Sequence, residues 1–132
     1  QGVEEFTNQY DSAKGFYTSL TTPTKMQNAE FTKYDTPTYI KGMTSSQSGS
    51  IPFISFDNKF VTSGASYSPS ILQNMTRSQI AAGLSDPTSP VTQAIIASAN
   101  YQTATICSII NNAAPVCTDK GVAAAKKAMG LK

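Results

Sequence analysis

Residues 47–72 read QSGSIPFISFDNKFVTSGASYSPSIL. Ile51-Pro52 leads into a short apolar run, Phe53-Ile54-Ser55-Phe56. Asp57-Asn58-Lys59 is turn chemistry, because Asp and Asn tolerate the left-handed backbone. Phe60-Val61-Thr62 resumes as a strand, and Ser63-Gly64-Ala65 ends it. Two such strands around such a turn form a β-hairpin. Ser68-Pro69 then starts a helical turn carrying Ile71 and Leu72.

Downstream the pattern is helical. Thr76-Arg77-Ser78-Gln79 has the form of a capping box, with Thr at the N-cap and Gln at N3, ahead of Ile80, Ala81 and Leu84. Ser85-Asp86-Pro87 breaks that helix, and Ser89-Pro90 starts a longer one that runs to about Ile110. Val91, Ala94, Ile95, Ser98, Tyr101, Thr105 and Ile109 fall at helical spacing, a stripe apolar enough to dock on a sheet. Asn111 to Pro115 form a loop. Asp119 is placed to cap a last helix, Lys120 to Met129, with Gly130 as its stop.

Upstream the signals are weaker. Val3 to Thr7 read as a strand, followed by a loop rich in Tyr and Gly. Thr22-Pro23 reads as a helix start, with Thr22 at the N-cap and Pro23 at the first helical position. Met26, Ala29, Phe31 and Tyr34 form its stripe, and Thr36-Pro37 ends it. Residues 42–50, GMTSSQSGS, read as a polar loop. The chain of 132 residues suits one domain, 1–132, with a modest core.

Composition excludes several functions. The formal net charge is +2, only 14% of residues are charged, and the lysines are scattered, so there is no footprint for nucleic acid. There is no histidine, which removes the Ser-His-Asp and Cys-His nucleophile arrangements and most familiar metal sites. No glycine-rich phosphate loop is present, and the adjacent Glu4 and Glu5 would face opposite sides of a strand. Expected cofactors and metals are none. No apolar run approaches the roughly 20 residues of a membrane span. Gln1 in place of Met suggests a processed exported chain or a fragment boundary.

Cys107 and Cys117 match no zinc or redox spacing. Reactive dithiols sit at helix N-termini, whereas Cys107 falls near a helix end, where the dipole disfavours a thiolate. A structural disulfide is the expected use, which implies an oxidising compartment. Closing a loop of this size is worth about 2.5–3 kcal/mol by chain entropy. Asn74-Met75-Thr76 is the one Asn-x-Ser/Thr sequon, in a surface turn open to glycosylation.

From about Thr21 to Cys117 the chain resembles the C-terminal half of a thioredoxin-like family of unknown function. The matching stretches include Thr22-Pro23-Thr24, Lys33-Tyr34-Asp35, Gly49 to Phe56, Ser63 to Pro69, Ser78 to Ala81, Asp86 to Pro90, Ala99-Asn100-Tyr101 and Thr105-Ile106-Cys107. Members of that family are secreted or membrane-anchored microbial proteins. The resemblance implies an α/β class and a partial thioredoxin-like fold: a β-hairpin entered through an X-Pro bond plus C-terminal helices. It also implies a cis Ile51-Pro52 bond forming a contact surface for a bound peptide. By residue type alone, a trans proline at a strand edge is the competing reading. Family members carry a Cys-Pro-x-Cys-like motif upstream, and nothing here corresponds to it. The expectation is an exported, non-catalytic binding or assembly subunit with no catalytic residues. Its partner would be another protein chain, or a second copy, that covers an exposed sheet edge. The alternative is the C-terminal fragment of an extracytoplasmic thiol-disulfide oxidoreductase whose Cys-x-x-Cys lies upstream.

Overall fold

The structure, a computed structural model, describes residues 8–19 and 21–132. The strand expected at Val3 to Thr7 lies outside them. The chain divides into two compact units, Gln1–Gly49 and Ser50–Lys132. It mixes helix and strand, with four α-helices and antiparallel two-stranded sheets among the described residues.

The first unit holds a hairpin that the sequence reading treats as loop. Strands β1 (Asn8–Asp11) and β2 (Phe16–Ser19) pair antiparallel, with Tyr10 opposite Tyr17. The turn makes the hairpin. Asp11 Oδ1 accepts from the N–H groups of Ala13 (3.0 Å) and Lys14 (3.2 Å), and Gly15 takes φ +73°. The flanking strands lack apolar alternation, so periodicity gives no sign of them.

Helix α1 (Lys25–Tyr34) starts later than expected. Its N-cap is Thr24, not Thr22. Gln27 Oε1 accepts from Thr24 N at 2.6 Å, and Thr24 Oγ1 accepts from Gln27 N at 3.3 Å. This two-way box outweighs the proline signal, and Pro23 stands just outside the helix. The same Thr-x-x-Gln spacing at Thr44 and Gln47 folds part of the polar loop into a 3₁₀ turn, Ser45–Gln47.

In the second unit, β3 (Phe53–Phe56) and β4 (Phe60–Ser63) form the expected hairpin in the register Phe53 to Ser63 and Phe56 to Phe60. Asp57 and Asn58 take φ +53° and +54°, the left-handed pair that matches strand twist. Ser68 caps a 3₁₀ turn, Pro69–Leu72, and Thr76 caps α2 (Arg77–Gly83) through a third Thr-x-x-Gln box with Gln79. Before the next helix, Asp86 Oδ1 accepts from Thr88 N (2.8 Å) and Thr88 Oγ1 (2.7 Å). Those bonds hold its carboxyl below the usual carboxylate range. Ser89 and Pro90 then open α3 (Pro90–Ile109).

α3 ends in two left-handed residues, Asn111 and Asn112, and Asn112 N donates to Cys107 O at 2.8 Å. A 3₁₀ turn, Pro115–Thr118, leads to α4 (Lys120–Met129). Asp119 occupies its N-cap without a side-chain cap bond. Gly130 at φ +67° closes it, and Leu131 N donates to Lys126 O at 2.9 Å.

The core of this unit sits where α3 meets α4. Ala104, Cys107, Cys117, Val122 and Ala125 are buried together. The side chains are small because the helices come close. A Cβ built on Gly121 would lie 2.4 Å from Asn100 Nδ2. By contrast, every residue of strands β3 and β4 is only half-buried.

The approach of Gly121 to Asn100 is testable as a double-mutant cycle. Asn100→Ala opens room for a methyl group, so Gly121→Ala in that background should gain about 0.5–1 kcal/mol from lost backbone freedom in the unfolded chain. In the native background that gain should shrink or reverse, giving a coupling energy of about 0.5–3 kcal/mol by denaturant titration. Additive effects would show that the two residues do not meet.

Candidate functional site

The Ile51-Pro52 peptide is cis and stands immediately before β3. Both residues are exposed, Ile51 at 60%. Pro52 O accepts from Gly64 N at 2.9 Å, which ties the corner to the end of β4. Ser63 Oγ reaches Ser50 O at 3.5 Å on the same corner. Alternation along the ladder then turns the N–H and C=O groups of Val61 and Ser63 away from β3, along an edge with no third strand among the described residues.

Between the hairpin and α3 lies a pocket of about 390 Å³. Phe56 and Phe60 line it from the hairpin; Ala97, Tyr101 and Gln102 line it from α3; Met129 reaches it from α4. No lining residue is charged. The pocket offers packing volume and neutral hydrogen-bonding groups, among them the hydroxyls of Thr62, Ser66, Ser98 and Tyr101, and no carboxylate, amine or thiol.

Cys107 and Cys117 form a disulfide with sulfurs 2.01 Å apart. Both are buried, at 1% and 4% exposure, in the α3–α4 core. Neither lines the pocket beside the hairpin. The buried cluster around the cysteine pair does not include Ile51 or Pro52. Asn74 is exposed in the turn before α2 at φ +62°. The hydroxyl of the sequon's Thr76 is already engaged with Gln79. Among the described residues no three His, Cys, Asp or Glu side chains gather to hold a metal.

Asp35, the C-cap of α1, is 2% exposed, and among the described residues neither carboxylate oxygen has a hydrogen-bond partner. It sits beside a local aromatic pair, Tyr34 and Tyr39, edge to face at 5.0 Å, with Lys33 Nζ 4.8 Å from the Tyr34 ring. An Asp just after a helix normally signals a solvated turn, so its burial has no local sequence marker.

The second face of α3 is also unexpected. From Pro87 through Thr118 no residue carries a charge, although Ile96, Tyr101, Ile106 and Ile110 are exposed along or at the end of α3. No helix of the described residues is long and apolar enough to cross a membrane. Compared with known proteins, the chain matches no family, no curated protein and no solved structure.

Two outcomes are expected at these sites. Replacing both Cys107 and Cys117 by Ala, or reducing the disulfide, should lower unfolding free energy by about 2.5–3 kcal/mol. A guanidinium titration with and without reductant measures it, and an unchanged midpoint would mean that the bridge constrains nothing. Asp35→Asn should raise stability, on the order of 1 kcal/mol, because a buried unpaired carboxylate is costly. A drop in the thermal midpoint would instead reveal a partner for the carboxylate.

Proposed function

We propose that this chain is an exported, non-catalytic, thioredoxin-like domain that serves as a binding or assembly subunit. The observation that carries the reading is the hairpin itself. Phe53, Ile54, Phe56, Phe60 and Val61 crowd into two four-residue strands, yet none is buried. A stable protein seldom leaves so apolar a sheet surface half-covered unless another surface is meant to meet it. The unpaired ladder groups of Val61 and Ser63 add a strand edge suited to backbone pairing.

The thioredoxin-like part of the proposal rests on the order of the elements. A proline-entered hairpin is followed by a long helix that shares a pocket with it. Export is supported by the buried Cys107–Cys117 disulfide, since such bonds persist in oxidising compartments. The state of the cysteines supports a non-catalytic role. Both are sealed in the core, so neither thiol is presented to a substrate disulfide.

Two measurements decide the proposal together. In an insulin-reduction assay with dithiothreitol, the chain should run at the uncatalysed rate. Native mass spectrometry of protein isolated from its source should give a mass above that of the single chain, as the same isolate shows it under denaturing conditions. Catalytic turnover, or a lone monomer in the native isolate, would overturn it.

A further inference from the structure

We propose that the pocket between the β3–β4 hairpin and α3 is a binding site for an uncharged, largely apolar small molecule that carries a hydroxyl, carbonyl or N–H group. This goes beyond the binding-subunit reading and does not depend on it.

The pocket has a cause in the sequence. Phe56 and Phe60 are directly opposed in the hairpin register, so both rings stand on one side of it. On α3, Ala94, Ala97, Ser98 and Tyr101 occupy the i, i+3, i+4 and i+7 positions of one stripe, and all four line the pocket. The first three carry small side chains, so the helix does not fill the space beside the two rings. The gap that results is about 390 Å³. Close-packed interiors hold few voids larger than a water molecule, whereas ligand pockets run to roughly 300–1,000 Å³. The gap is the size of a ligand, not of a packing defect.

The lining selects the chemistry. The rings of Phe56, Phe60 and Tyr101 and the thioether of Met129 offer surfaces for a flat apolar body. With no charged residue in the lining, an ionic ligand would lose its hydration and gain no counter-charge. A purely apolar ligand would strand the polar groups of Ser66, Ser98 and Gln102, whose side chains hold no hydrogen bond among the described residues. The most buried polar group of the lining, Thr105, is already satisfied, since its hydroxyl donates to Tyr101 O at 3.0 Å. The polar group of the ligand therefore belongs with the more exposed Ser and Gln side chains, and its apolar body with the rings.

A matched pair of fluorescent probes tests this on the whole chain. N-phenyl-1-naphthylamine is neutral and carries one N–H; 8-anilino-1-naphthalenesulfonate is the same body with a sulfonate added. The neutral probe should bind saturably, and the sulfonate at least about tenfold more weakly, although the net charge of +2 would draw the anion in. Ala97→Trp should fill the gap and abolish binding of the neutral probe. Tyr101 is 43% exposed, so Tyr101→Ala should keep the parent's circular dichroism while weakening the probe severalfold through loss of one wall. Ile106→Glu, on the outward side of α3, should leave binding unchanged. No saturable binding of the neutral probe overturns the inference. So does a sulfonate that binds as well, or binding that ignores both Ala97→Trp and Tyr101→Ala or is lost with Ile106→Glu. The mass of the native isolate decides the subunit reading separately, so either can fail without the other.

Discussion

The junction of α3 and α4, clamped by Cys107–Cys117, is the constraint on which the second unit depends. Its core consists of two cysteines, two alanines and a valine. Side chains that small bury little apolar area, so the hydrophobic gain at roughly 25 cal/mol per Å² is modest. The disulfide compensates by removing freedom from the unfolded chain. Gly121 contributes in another way, by letting α4 approach Asn100 more closely than any other residue allows. Lys126 Nζ, bonded to Asn112 Oδ1 at 2.5 Å, ties α4 back to the turn that follows α3.

Once α4 occupies one face of α3, the remaining surface of that helix is divided. One part faces the hairpin across a neutral pocket. The other faces outward without charge. The capping chemistry follows the same preference. Three Thr-x-x-Gln boxes, at Thr24, Thr44 and Thr76, start helical turns with a neutral amide at the position where a carboxylate is common. The described ion pairs, Lys14–Asp11 and Lys59–Asp57, are both local and solvent-exposed, so they add little. Local order in this chain comes from these neutral boxes, from the carboxylates of Asp11 and Asp86 that accept within their own turns, and from turn geometry.

Legibility in the sequence followed the range of the interaction. The hairpin at Phe53 to Ser63 and the starts of α2, α3 and α4 were readable because each depends on residues within four positions: an Asp-Asn turn, a Thr-x-x-Gln box, a Ser-Pro start, an Asp before a helix. The start of α1 was misplaced for the same local reason, since Thr22-Pro23 and Thr24-x-x-Gln27 compete and only the second closes its bonds. The β1–β2 hairpin was missed because its information lies in one Asp11 side chain and one glycine, not in a period. The burial of Asp35 had no local sign at all, and neither did the division of α3 into three faces.

By itself, the sequence determined the elements of the second unit, the lack of histidine chemistry and the cysteine pair eligible for a bridge. These are properties of short windows and of composition, where backbone preference and residue type decide. Tertiary structure decided which face of α3 is covered. It sealed the disulfide in the α3–α4 core, and it left the Phe-rich strands of the hairpin half-exposed. Those outcomes depend on which distant surfaces meet. A helix with apolar residues on several sides does not announce which side will find a partner.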